Sequence, residues 1–475
     1  MTLGRSTIRM LVAAGLIALT GPSVDASEPV PIARDWSFDI VRLKNGYIFK
    51  GLILEETAFG LRFQHVHRAS GRPTVCMTTA IRRADIDKID KLGDEEREGL
   101  KNRLKELDPR GEGERRRMES LELDRCVWEG KPKAGWRYDS DYFSLSSNAP
   151  EEIVRRSAVR LEQIYTAYAA FLPPRFPGGK PTSIVLYPAF DEYRKMLAQR
   201  GWKLENPAFF NPESNRIICG SNLIVLGDDL EATRLKHQEA RLEVDKYEVE
   251  IRRLYGKQPQ QIARFLLAAD ENRKRIASAE RYNDSIFDNA TERLFGVLYH
   301  ESFHAYVSNF VYPAVNAPVG ESGPPGELPR WLNEGLAQIF ETAIVEAGEL
   351  RVGHADRDRL RRARDVIRKG GWVPANELLA TGPKAFLVQH SDERLTSDRA
   401  YLASWATAAY LTFDRRLLGS SKLDAYLRAV NRGGNAEEAF SQMVGQKLPQ
   451  FEKDLQTWLM KLPENGSMLE PIGGK

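Results

Sequence analysis

Histidine and cysteine are scarce in this chain of 475 residues, which contains 7 His and 3 Cys. Cys76, Cys126 and Cys219 form no CxxC pair, so the sequence indicates neither a thiolate metal site nor a dense set of disulfides. One disulfide, or three small buried side chains, are equally compatible with this count. Any metal site would therefore have to use the few histidines together with carboxylates.

The chain also lacks an excess of charge and a long apolar run. Its 69 basic and 66 acidic residues are interspersed, which argues against a nucleic-acid partner. Arg5 and Arg9, an apolar run over 10–19 and the small-residue spacing ending at Ala26 predict a signal peptide over 1–26. No later run reaches the roughly 20 apolar residues of a membrane span, so none is predicted in the mature chain. We expect a secreted, periplasmic or cell-envelope protein; an uncleaved N-terminal anchor would give the same compartment.

Short alternating segments with a hairpin turn at Asn45-Gly46 predict a small β-barrel or sandwich over residues 27–93. Their spacing resembles that of SH3-like or Sm-like barrels. His65 and His67 share one face of a strand, but an exposed polar face explains them better than a metal site does. Residues 94–135 are rich in Glu, Lys and Arg and predict a charged helical linker.

Residues 136–465 alternate strand and helix patterns, and the whole chain is predicted to be α+β. Two charged helical segments over 228–284, divided near Gly256 and Pro259, predict an inserted helical hairpin. Its apolar stripe is expected to serve the packing of the hairpin itself, and a role in binding a protein partner stays open.

A helical segment contains the pattern HExxH at His300, Glu301 and His304. Positions i and i+4 share one helix face, so both imidazoles can approach one zinc ion (Zn2+). Glu301 is rotated by about 100° from His300, which lets it reach a reacting water without binding the metal. Chance would produce this pattern on the order of 0.01 times in a chain of this composition. Two hydrogen-bonded core histidines are the alternative.

A catalytic zinc usually takes three protein ligands, so a third is expected downstream. After a loop rich in Gly and Pro, a second helix begins with the sequence Trp-Leu-Asn-Glu-Gly-Leu-Ala at 331–337. HExxH followed by this segment resembles the gluzincin metallopeptidases, and the resemblance implies that Glu334 is the third ligand. The longer gap before Glu334, and the absence of a Gly-Ala-Met-Glu-Asn segment, argue against the aminopeptidase branch and leave endopeptidase or another specificity open.

The helical C-terminal part resembles that of peptidase-MA-like domains of bacterial envelopes, over about residues 136–462. This resemblance implies a zincin-like catalytic domain with a mixed sheet. A donor for the reaction's oxyanion is also expected, with Tyr401 as the first candidate and His390 as the second. The predicted strands near Ala208 and Arg216 could pair with an extended substrate or be plain sheet structure.

These features predict a zinc-dependent metallopeptidase that hydrolyses peptide bonds in a peptide or protein substrate, with Glu301 as general base. The alternative is a non-catalytic envelope binding or scaffold protein that keeps a peptidase-like core. Retention of His300, Glu301, His304 and Glu334 together favours the enzyme.

Overall fold

The structure of this chain is a computed structural model. It describes residues 35–68, 74–107, 112–176, 179–202, 204, 206–256, 258–314, 324–341, 344–346, 349–352, 357–382, 386, 391–463 and 466–468. The predicted signal peptide and His390 lie outside these residues.

Five antiparallel strands form an N-terminal sheet in the order β4-β3-β2-β1-β5. The strands are β1 Asp39–Leu43, β2 Ile48–Glu56, β3 Gly60–His67, β4 Val75–Arg82 and β5 Ile86–Asp90. The turn at Asn45-Gly46 joins β1 to β2, and Gly46 has a φ of 84°, a left-handed conformation that glycine adopts without strain.

The expectation of an SH3-like or Sm-like barrel is wrong for the described residues. β4 and β5 are the two edges of this sheet and do not pair with each other, so the sheet is open. Alternating polar and apolar residues indicate antiparallel strands with one buried face, but closure depends on strand tilt and stagger, which the pattern does not encode.

The predicted linker consists of helices only in its first part. Helices α1 Asp94–Glu106 and α2 Glu112–Ser120 are followed by strands β6 Asp124–Trp128 and β7 Lys131–Asp139. Both strands pair into a second sheet, so residues from Asp124 onward belong to that sheet and not to a helical linker.

The second sheet has six strands in the order β10-β11-β9-β8-β7-β6. Its remaining strands are β8 Phe143–Ser147, β9 Thr182–Tyr187, β10 Ala208–Asn211 and β11 Arg216–Gly220. β8, β9 and β11 are parallel, and helices α3 Glu151–Phe171 and α4 Phe190–Gln199 connect them. β10 runs antiparallel to β11 and forms one edge.

Helices α5 Leu223–Tyr255 and α6 Pro259–Tyr306 occupy the segment for which a hairpin is expected. They pack against each other, and Arg273 on α6 forms an ion pair with Asp245 on α5 at 2.7 Å. α6 continues without a break from the hairpin to the HExxH segment and passes into a π-helical turn at Val307–Val311.

The C-terminal part is almost entirely helical. It contains α7 Arg330–Phe340, the short strands β12 Ile344–Glu346 and β13 Glu349–Arg351, and helices α8 Arg357–Arg368, α9 Ala375–Leu379, α10 Ser391–Ala409, α11 Ser421–Asn431, α12 Ala436–Val444 and α13 Leu448–Lys461. A π-helical turn at Tyr410–Asp414 follows α10.

One large apolar core joins the second sheet to the helices that carry the HExxH segment and Glu334. Tyr168 of α3 donates a hydrogen bond to the Tyr299 carbonyl at 2.6 Å, and Tyr306 donates one to the Leu172 carbonyl at 2.7 Å. These bonds fix the end of α6 against α3. Among the described residues, no helix is both long enough and apolar enough to cross a membrane.

Candidate metal centre

Helix α6 presents His300 and His304 on one face, one turn apart. Their ring centroids lie 4.8 Å apart and the rings are nearly perpendicular, at 86°. His304 is buried and His300 is partly buried. This is the arrangement that i and i+4 spacing on a helix predicts.

Helix α7 brings Glu334 to the same point. Its carboxylate is 1% exposed; Oε2 lies 3.1 Å from His300 Nε2, and Oε1 lies 3.6 Å from His304 Nε2. The metal-binding atoms of these three residues all lie within 4.8 Å of one another. We call His300, His304 and Glu334 the ligand triad, and it is close enough to bind a metal.

Gly335 allows α7 to approach α10 closely. A Cβ at this position would lie 2.3 Å from the Ser404 carbonyl oxygen and 2.7 Å from the Ala408 Cβ. Only glycine fits this contact. Gly335 therefore allows α7 to pack closely enough that Glu334, the neighbouring residue, is held in the core.

The outer nitrogens of both histidines have partners of their own. His304 Nδ1 lies 2.9 Å from Asn333 Oδ1, and His300 Nδ1 lies 3.5 Å from Glu341 Oε2. Glu341 is itself paired with Arg359 of α8. Partners at Nδ1 orient each ring and leave both Nε2 atoms facing Glu334, as histidine metal ligands require.

A guanidinium group also contacts the triad. Arg330, the first residue of α7, places Nη2 2.6 Å from Glu334 Oε1 while 45% of its side chain is exposed. Glu334 therefore has one oxygen turned toward a cation and the other toward His300.

Glu301 lies outside the triad, as its position one residue after His300 predicts. Its Oε2 accepts a hydrogen bond from the backbone N–H of Phe210, on edge strand β10, at 2.8 Å. Helix α6 packs along β10, which places this carboxylate between the metal helix and the sheet edge.

Burial and charge set the ionisation of the site. Burial lowers the pKa of His304 to about 4, so its imidazole is neutral and able to bind a metal. Burial also acts to lower the pKa of His300, but the carboxylates of Glu334 and Glu341 outweigh it and raise that pKa. Burial raises the pKa of Glu301, which moves it toward the range suited to a general base.

The residues fit a divalent metal ion. Two imidazole nitrogens and one carboxylate form a donor set typical of zinc and other transition metals. His300 Nε2 and Glu334 Oε2 lie 3.1 Å apart, and a metal ion would bind this nitrogen in its deprotonated form. The fit rests on the donor atoms and their burial.

The two predicted oxyanion donors have different outcomes. The hydroxyl of Tyr401 on α10 donates a hydrogen bond to the Phe386 carbonyl at 3.0 Å. Gln338 Nε2 donates to the Glu334 carbonyl at 3.2 Å and to the Tyr401 carbonyl at 3.0 Å, so Tyr401 packs beside the helix turn that carries Glu334. His390 is outside the described residues.

Four groups at this site are absent from the sequence-based prediction: Asn333, Glu341, Arg330 and the Phe210 backbone. Arg330 and Glu341 lie four residues before and seven residues after Glu334 on the same helical segment, a spacing that puts them on one face with it. That periodicity is a signal for both. No local pattern connects Phe210 with Glu301, because the sheet brings them together over a long sequence distance.

One family model matches part of the chain. The family described as a protein of unknown function, DUF1570, matches residues 299–425. This range contains the ligand triad, Glu301 and Tyr401. No curated protein and no solved structure matches the chain.

Proposed function

We propose that this chain is a zinc-dependent metallopeptidase of the gluzincin type. The observation that carries the proposal is the convergence of His300, His304 and Glu334 in a buried site, with the carboxylate of Glu301 beside it. The mixed sheet and the two helices that hold these residues support a zincin-like fold for the catalytic part.

Each residue has a distinct role in the proposed reaction. His300, His304 and Glu334 would hold zinc, which when bound supplies a Lewis acid for a substrate carbonyl and acidifies a water molecule. Glu301 accepts the proton of the attacking water and transfers it to the leaving amine. Tyr401 would need to leave the Phe386 carbonyl before its hydroxyl could donate to the developing oxyanion.

The substrate is proposed to be an extended segment of a peptide or protein. β10 is an edge strand beside the metal helix, and an edge strand can add a further strand through backbone hydrogen bonds. Such pairing would place a scissile bond near Glu301. Together with the predicted signal peptide, this supports a peptidase that acts in the secreted, periplasmic or cell-envelope compartment.

Metal analysis tests the site apart from the reaction. We expect purified protein to hold about one zinc per chain after mild loading and dialysis. The variant His304→Ala should lose it, while His65→Ala, which changes an N-terminal sheet histidine, should retain it. Equal metal content in His304→Ala and wild type would contradict the ligand assignment.

Hydrolysis tests Glu301. Glu301→Gln keeps the size and burial of the side chain but removes the base, so we expect zinc content to be retained and cleavage of an unfolded casein substrate to fall at least 100-fold. Comparable cleavage by wild type and Glu301→Gln would rule out Glu301 as the base. A proteome-wide profile of cleavage sites, comparing the same two proteins, would then identify the sequence preference.

A second candidate function rests on a separate observation. Leu235, Leu242 and Val249 follow one another at seven-residue spacing on α5 and are 55%, 53% and 68% exposed. A stripe of this kind is suited to contact with a partner helix. A scaffold function would be supported if the variant carrying Asp at all three positions abolished biological activity while Glu301→Gln did not.

A further inference from the structure

The backbone N–H and C=O groups of successive β10 residues point alternately toward the partner strand β11 and toward the unpaired edge of the sheet. The Pro207 carbonyl accepts a hydrogen bond from the Gly220 N–H at 2.7 Å, so position 207 faces β11. In an antiparallel pair every second residue faces the same way, which places the N–H of Phe209 toward β11 and those of Ala208 and Phe210 toward the free edge. The N–H of Phe210 therefore plays no part in the sheet.

That outward N–H is used by Glu301. It donates to Oε2 at 2.8 Å, and the Glu301 side chain is partly buried. A buried carboxylate without donors is strongly unfavourable, and its orientation is set by the donor it does have. Because the bond engages one lone pair of Oε2, Oε1 has the greater capacity to accept a proton from water.

We infer that the Phe210 backbone N–H is the positioning group for Glu301, so that the edge strand of the cleft also orients the base. For catalysis the inference rests on the proposed function; for the hydrogen bond it stands on geometry alone. Phe210 acts through Glu301 and is a positioning residue.

This assignment restricts how a substrate strand can pair with β10. The Phe210 N–H is occupied, so the outward-facing groups left for a substrate are its carbonyl and the backbone of Ala208. An added strand is therefore anchored on the Ala208 side, and its pairing ends at the base.

Hydrogen exchange tests the bond without any need for catalysis. Exchange of individual amides would be followed by NMR in metal-free wild type, Glu301→Gln and Glu301→Ala. We expect the Phe210 amide to exchange at least 10-fold faster in Glu301→Ala, where the acceptor is missing. Gln retains an acceptor oxygen and should keep most of the protection. The Phe209 amide faces β11 and is the internal control. An unchanged Phe210 rate in Glu301→Ala, or equal acceleration at Phe209, would overturn the inference.

A pair of variants at position 210 tests the catalytic consequence. Proline removes the N–H and is tolerated at outward-facing positions of edge strands, whereas Phe210→Ala removes the ring and keeps the N–H. We expect Phe210→Pro to retain zinc and to lower kcat at least 10-fold relative to Phe210→Ala. KM should differ by less than about 3-fold between the two variants, because the lost N–H acts on the base and not on the substrate. Equal kcat in the two variants, or a fall in kcat/KM that comes entirely from KM, would overturn the inference. If the wild-type protein does not hydrolyse the substrate, the proposed function is contradicted. The hydrogen-exchange experiment then tests, independently of catalysis, whether the Phe210 N–H positions Glu301.

Discussion

At the scale of single residues, each member of the ligand triad contacts a polar or charged side chain outside the triad. Glu341 supports His300, Asn333 supports His304, and Arg330 contacts Glu334. Each of these contacts restricts the rotation of one side chain of the triad. The donor atoms of the three residues are therefore held in fixed directions.

Glu341→Ala should weaken zinc binding without abolishing it. The variant frees the His300 ring to rotate and leaves Arg359 without its carboxylate, so we expect the zinc dissociation constant to rise about 10–100-fold. Competition with a chromophoric chelator measures it. Asp365→Ala, which removes an exposed ion pair with Arg368 on α8, is the control and should leave affinity unchanged. Equal affinities for wild type and Glu341→Ala would show that His300 needs no such support.

Arg330→Met should make the protein more dependent on metal. Without the guanidinium, Glu334 keeps a buried negative charge that zinc can still neutralise, so the metal-free form loses more stability than the zinc-loaded form. We expect the rise in Tm on adding zinc to be larger in Arg330→Met than in wild type by several degrees. Arg362→Met, at an exposed arginine of α8, is the control. A smaller rise in Arg330→Met would mean that Arg330 chiefly helps to hold the metal.

At the scale of elements, the site depends on how closely α7 packs against α10. Gly335→Ala puts a methyl group 2.3 Å from the Ser404 carbonyl oxygen, and neither backbone can yield easily. We expect a loss of about 2–4 kcal/mol in the free energy of unfolding, as for other overpacked core positions. Urea denaturation measures this change.

Gly296→Ala on helix α6 is the matched control, since its Cβ would meet nothing within 4 Å. It should be neutral or stabilise by up to about 1 kcal/mol. Similar destabilisation by both changes would contradict the packing argument.

The sequence predicted some elements well and others poorly, for physical reasons. HExxH spacing and the segment around Glu334 are local patterns, and the structure brings them together as a triad able to hold a metal. The continuity of α6 was harder to predict. Its hairpin part is charged and its end is apolar, so the composition suggests two elements, while Gly296 alone is too weak a breaker to separate them. Closure of the N-terminal strands depends on long-range geometry, and the strands that the structure describes form an open sheet instead of the predicted barrel.

At the scale of the whole molecule, the two sheets have separate apolar cores. Small clusters in the N-terminal sheet and beneath α1 are distinct from the large core around the ligand triad. Asp39 ties the N-terminal sheet to α1. It is fully buried and accepts hydrogen bonds from Ile53 N at 2.8 Å, Leu92 N at 2.8 Å and Arg97 Nη2 at 3.0 Å.

Asp39→Ala should therefore unfold the N-terminal sheet selectively. It leaves two backbone donors and one guanidinium without their acceptor, at about 1–3 kcal/mol for each buried donor, while the ligand triad keeps all of its contacts. In calorimetry we expect two unfolding transitions. The Tm of one should fall by several degrees and should not depend on zinc, whereas the Tm of the second, which zinc raises, should be unchanged. Asp85→Ala, which breaks an exposed pair with Arg82, should change neither. If both transitions of Asp39→Ala moved together, the two sheets would form a single cooperative unit, and the N-terminal sheet would contribute directly to the stability of the metal site.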